Sequence, residues 1–177
     1  MASKKVLIRI INRTEGFLGL PEEMANYGSE GEGEDALSEL DEHLGLGFEN
    51  NGEIPSMLET EAELESENGR ITLSYYTELI GAPSLVKYSF FDDDRDSLTV
   101  TRKQMLEDVY FFDGRSRRQT VIYNEESGAL EFSLYTKRLR NQLTYELGGF
   151  LEIEYYAEVR GGVVEHCREY VFVEPSV

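Results

Sequence analysis

Met57-Leu58-Glu59-Thr60-Glu61-Ala62-Glu63-Leu64-Glu65-Ser66, then Asn68-Gly69, then Ile71-Thr72-Leu73-Ser74-Tyr75-Tyr76-Thr77-Glu78-Leu79 is the stretch that decides the fold. The first run is rich in Glu, Leu and Ala, a helical composition. Its pattern is different: Leu58, Thr60, Ala62 and Leu64 alternate with four glutamates, which is the two-residue period of a strand. The second run alternates in the same way. Between them Asn68-Gly69 can take the positive φ angles of a type I′ turn. Two alternating runs around Asn-Gly make a hairpin, and the period outweighs the composition.

The alternation continues to the end of the chain. Lys4 to Asn12, Leu85 to Phe91, Leu98 to Lys103, Glu107 to Phe112, Gln119 to Tyr123, Leu130 to Thr136, Phe150 to Val159 and Val163 to Val173 each read as strands. Asp92-Asp93-Asp94-Arg95-Asp96, Asp113-Gly114, Glu126-Ser127-Gly128 and Gly161-Gly162 supply the turns between them. Strands this closely spaced, with no helices between, exclude a parallel sheet. A meander of about eight to ten strands removes its edges by closing, so the expected fold is an all-β, antiparallel closed barrel in a single domain, 1–177.

Residues 15–55 are the exception. This stretch is acidic and Gly-rich, and its best helix covers 34–44, where Leu37, Leu40 and Leu44 share a stripe that Gly45 can cap. It reads as an insertion in the barrel. Between Arg13 and Arg70 there is no Lys or Arg, while 17 of the 35 acidic residues fall there. The formal net charge of −18 is therefore the property of one segment, and it argues against nucleic acid and anionic membrane as partners. No apolar run approaches the length of a membrane helix. The single cysteine, Cys167, excludes an internal disulfide and fits a reducing compartment, so the cytoplasm is the expected location.

Motifs for chemistry are scarce. With two histidines, His43 and His166, and no nucleophile elbow, no catalytic residue is assigned, and an enzymatic reading ranks last. No zinc ligand set is present, and neither a metal nor a cofactor is expected. Asp92-x-Asp94-x-Asp96 imitates the start of a calcium loop, but Ser97 replaces its glycine and Lys103 its bidentate glutamate. A hairpin turn is the simpler reading. Arg115-Arg117-Arg118 and Lys137-Arg138-Arg140 are small basic groups suited to strand-end solubility.

The inner face says more. Alternation points Tyr75, Tyr88, Phe90, Leu98, Val100, Phe132, Leu134 and Tyr155 inward, with Arg102, Thr77 and Thr136 beside them. On the last strand Arg168-Tyr170-Phe172 forms one candidate inner face, although the phase there is ambiguous. A buried arginine needs a partner, either an inward carboxylate or the anionic group of a ligand. Arg102, Tyr75, Tyr88, Tyr155 and Arg168 are thus the candidate ligand-binding residues. Tyr76, Tyr135 and Tyr156 fall outside, where exposed aromatics would mark a covered surface or a homodimer interface.

Ile71 to Glu78, with its L-S-Y-Y-x-E signature, is followed by Gly81, by Val100-Thr101-Arg102, by Leu130 to Thr136 and Leu139, and by Gly149 to Tyr155. In this order the chain resembles a family of small bacterial proteins with a calycin-like (lipocalin-like) barrel and no established function, DUF1934. The resemblance covers about residues 4–12 and 56–174 and implies a closed cytoplasmic barrel, with no catalytic residues to carry over; residues 15–55 depart from it. Two functions compete. One is a barrel binding a small amphipathic or anionic ligand. The other is a non-enzymatic interaction or structural protein with a filled barrel, acting through the acidic insertion and outer-face aromatics.

Overall fold

The computed structural model describes residues 2–18, 56–79, 82–103, 107–115, 118–125, 128–159 and 163–174. In chain order the strands are β1 (Ala2–Leu18), β2 (Ser56–Glu67), β3 (Arg70–Leu79), β4 (Ala82–Phe91), β5 (Asp94–Lys103), β6 (Glu107–Asp113), β7 (Arg118–Glu125), β8 (Gly128–Asn141), β9 (Gly149–Val159) and β10 (Val163–Glu174). All ladders are antiparallel, and the order across the sheet is β6-β5-β4-β3-β2-β1-β10-β9-β8-β7. The first and last strands are thus neighbours at the centre of the sheet. Its two ends curl toward each other, bringing β6 against β7 and β8 and β5 against β8.

This is the antiparallel barrel that the alternation predicts, closed in an unusual way. Among the described residues no ladder joins β6 to β7. Side chains bridge the two halves instead: the Phe112 and Tyr155 rings lie 4.9 Å apart across the interior, and Arg95 on β5 donates to the carbonyl of Leu143 beyond β8.

Residues 57–66 are a strand, as their period requires, and pair with β3 through Asn68 (φ 51°) and Gly69 (φ 77°). The acidic run after β4 is a hairpin turn. Arg95 is bonded to Asp92, while Asp94 accepts from Ser97 and Arg115. The Ser97 hydroxyl and the Arg115 charge together hold the Asp94 carboxyl below its ordinary range. β1 does not stop at Asn12. It continues to Leu18, pairing Gly16 with Glu165 and Leu18 with Val163, so residues 15–18 extend the first strand. The helix expected at 34–44 lies outside the described residues.

The core follows the inner phase of each strand: Ile8, Leu64, Leu73, Leu98, Ile153 and Val171 are almost completely buried. At one end the chain between β8 and β9 plugs the barrel. Leu143 is buried in the core, and Thr144 and Gly148 bond to each other to close the turn behind it. Lys4 steadies this plug by donating to the Glu146 carbonyl and lying 5.1 Å above the Tyr145 ring. Gly149, at φ 131°, must be glycine, since a Cβ there would fall 2.2 Å from the Gln142 carbonyl oxygen.

Two glycine-to-alanine changes test this geometry by urea denaturation. Gly69→Ala meets nothing within 4 Å and should cost about 1 kcal/mol for its backbone conformation alone. Gly149→Ala adds a backbone collision and should cost about 3 kcal/mol or more. Equal losses would contradict the plug as described.

Candidate functional site

Going along the strands away from the plug, the inner face changes character. Phe90, Leu98 and Ile153 give way to Tyr75, Tyr88, Arg102, Tyr110, Tyr155, Cys167 and Glu169. The same alternation that builds the core therefore delivers polar groups to one end of the interior, contributed by β3, β4, β5, β6, β9 and β10.

Glu169 is the centre of this group. Its carboxylate is 8% exposed and accepts a 2.8 Å hydrogen bond from the Tyr88 hydroxyl. Because Tyr88 gives its proton to Glu169, its oxygen is left to accept from Tyr75, 3.4 Å away. The two rings stack at 6.2 Å with an interplanar angle of 14°. Asn12 reaches the second carboxylate oxygen at 3.5 Å. Arg102 Nη2 stands 3.7 Å from the same oxygen, while its guanidinium covers the Tyr110 ring at 5.3 Å. Asp108 is its partner across the β5–β6 ladder.

Titration follows from this packing. Burial and the Glu169 charge push the Tyr75 hydroxyl up to about 12. Both also push Tyr88 well above its ordinary value. Burial alone would weaken the charge on Arg102, yet Glu169 and the surrounding tyrosines more than offset it, and the guanidinium holds its proton more tightly than in water. Cys167 is a buried free thiol, raised by that burial and hydrogen-bonded to Tyr155 and Thr14.

Four of the five residues proposed from sequence meet here: Arg102, Tyr75, Tyr88 and Tyr155. Arg168 does not. On β10 the inner phase is Cys167, Glu169, Val171 and Val173, so Arg168, Tyr170 and Phe172 occupy the other face. Arg168 lies outside the barrel and donates to Glu154 Oε1 at 2.8 Å. The correction has a physical cause, because both phases of this strand mix charge with apolar residues. Only the paired valines of the odd phase disclose which one is buried. Glu169 was missed for the same reason.

The outer aromatics also differ from expectation. Tyr76 is 71% exposed, whereas Tyr135 and Tyr156 are 4% and 2% exposed and cannot offer a free surface. They face each other across the β8–β9 ladder, and Tyr156 stacks on His166 at 4.5 Å. Beside them the outer carboxylates of β9 are satisfied by basic side chains. Glu154 meets Lys137 at 3.3 Å, His166 at 3.0 Å and Arg168, and Glu152 meets Arg138 at 3.3 Å and Arg140 at 3.7 Å. A register shift between Thr136 and Arg138 makes this geometry, placing Lys137 at the irregularity and letting Arg138 face Glu154 and Arg140 face Glu152.

Fold and interior together define a calycin-like antiparallel barrel with a polar group at one end. The model of the domain of unknown function DUF1934 matches residues 49–168, and the chain belongs to that family. No curated protein matches it. Its fold is similar to the crystal structure of the ywiB protein from Bacillus subtilis, at 11% identity and a TM-score of 0.58, covering 98% of this chain and 94% of that one. Among the described residues no helix is long and apolar enough to cross a membrane.

Glu154 yields a pH prediction. Burial works against its charge, but His166, Arg168 and Lys137 overcome this and hold it near 2 instead of 4.5. A carboxylate depressed in this way stabilises the fold fully above its ordinary value of 4.5 and loses that contribution as pH falls toward about 2. The thermal midpoint of the wild-type protein should therefore fall across this window, and Glu154→Gln should be less stable at neutral pH with a shallower acid decline. Parallel acid limbs would contradict the assignment.

Proposed function

We propose that the polar end of the barrel binds a small amphipathic molecule whose anionic group is received by Arg102. One observation carries the reading. In the Arg102–Glu169 pair the cation is the exposed member, at 28% against 8%, so an incoming anion meets the guanidinium before it meets the carboxylate. The 3.7 Å separation is that of an ion pair, not of a committed bidentate hydrogen bond, and leaves guanidinium donors for a second oxygen. The apolar body of such a molecule would lie toward the tyrosine rings. The other end is filled by the core and Leu143, which confines the site to this mouth. One charged hydrogen bond would contribute about 1.5–3 kcal/mol to binding. The reduced, buried Cys167 supports placing the protein in the cytoplasm.

A second reading makes Arg102 a structural strut, and the inward carboxylate of Glu169 favours it. Arg102→Met separates the two, because it keeps the stem and removes the charge. Native mass spectrometry of the protein taken gently from its own cells should show a bound small molecule on the wild type and none on the variant. The melting temperature should fall only modestly, since Tyr88 and Asn12 still donate to Glu169 in the variant; a loss of about 1 kcal/mol corresponds to about 2–4 °C in a chain of this size. A bare wild-type protein, together with a loss several times larger in the variant, would end the binding reading and leave the strut.

A further inference from the structure

The barrel wall parts beside the polar group. β2 and β3 are hydrogen-bonded only near their turn, from Glu67 opposite Arg70 to Glu63 opposite Ser74. Beyond that point both strands continue, but no ladder joins them. β2 stays with β1 as far as Ser56 opposite Asn12, and β3 stays with β4 as far as Leu79 opposite Ala82. Residues 56–62 and 75–79 therefore diverge and leave a wedge-shaped opening between them.

The opening lies over the interior carboxylate. On its β2 side the Ser56 hydroxyl donates to the Asn12 carbonyl at 3.3 Å, and the Asn12 amide reaches Glu169 at 3.5 Å. On its β3 side Tyr75 meets Tyr88, which donates to Glu169. Among the described residues the facing backbone edges have no partner strand, and backbone groups left so need water. A hydrated opening fits an inward guanidinium that is still 28% exposed. Apolar side chains mark the way in. Met57 and Tyr76 stand on opposite lips at 68% and 71% exposure, and Leu58, on the inner side of β2, is only partly buried against the core. Glu59, Glu61 and Glu78 lie on the same two strands outside, so an anion is repelled at the lips and attracted only further in, at Arg102.

Resting on the reading of Arg102 as an anion receiver, we infer that this opening is the ligand's entrance and the berth of its apolar part. The ligand is a single-chain anionic amphiphile. Its head lies inward on Arg102, and its tail passes over Leu58 and leaves between Met57 and Tyr76. The shape selects the class, because the opening runs about 17 Å along β2 from Ala62 to Met57 and narrows to a paired ladder at Glu63. An extended chain fits such a wedge, whereas a broad ring system would have to break the ladder.

Fluorescence titration of the full chain with cis-parinarate, a linear carboxylate that brightens in apolar surroundings, tests the inference. The wild type should bind it and Arg102→Met should not. The double variant Met57→Gln, Tyr76→Ser should bind about tenfold more weakly, because the tail loses its apolar contact while no charge is added. Both side chains are exposed enough for circular dichroism to stay unchanged. Phe111→Ser, which removes an exposed ring on β6 away from the opening, should leave binding as it was. Binding that needs Arg102 but ignores the double variant, or that falls equally with Phe111→Ser, overturns the entrance and leaves the anion receiver standing. Binding that survives Arg102→Met, or a wild type that does not bind, overturns both.

Discussion

A carboxylate inside an apolar barrel is the constraint around which this structure is arranged. Glu169 on β10 needs donors there, because an unpaired charge in such a place would cost several kcal/mol. Its donors come from β4 (Tyr88), β5 (Arg102) and β1 (Asn12), with Tyr75 of β3 supporting Tyr88. In the sheet, β10 is separated from β4 and β5 by several strands. The hydrogen bonds of Glu169 therefore cross the interior and tie one half of the sheet to the other. Because no ladder joins β6 to β7 among the described residues, this tie and the Phe112–Tyr155 contact do through side chains what a backbone ladder does in a fully hydrogen-bonded barrel.

That arrangement divides the interior into two regions with different duties. Around Leu143 the packing is apolar and complete, and Gly149 permits the chain to fold back tightly enough to insert it. Around Glu169 hydroxyls, a thiol and a guanidinium share a small space, and the guanidinium is more exposed than the carboxylate it faces. Apolar packing is concentrated at the first region and polar groups at the second. The proposed binding role draws on that separation, since a ligand at the mouth need not disturb the packed end.

Much of this was legible in the sequence. The strict period of residues 57–66 overrode a helical composition, and Asn68-Gly69 placed the turn. On β3, β4 and β5 each strand has one plainly apolar phase, so Tyr75, Tyr88 and Arg102 could be assigned inward correctly. On β10 both phases carry charge and bulk, and reading Arg168-Tyr170-Phe172 as inner hid Glu169, the partner that explains Arg102. On β8 and β9 alternation separates the two faces but cannot say whether the outer one is covered, and so Tyr135 and Tyr156 were expected to be exposed. The register shift after Thr136, which no local residue announces, set which cations meet Glu152 and Glu154.

If Glu169 ties the two halves of the sheet together, Tyr88 and Glu169 are energetically coupled across the barrel. A double-mutant cycle of Tyr88→Phe and Glu169→Gln, read by chemical denaturation at neutral pH, measures this directly. The expected coupling is about 1.5–3 kcal/mol, the scale of a buried hydrogen bond to a charged group. Losses that add within about 0.5 kcal/mol would show that the two side chains are neighbours without being partners, and would contradict it.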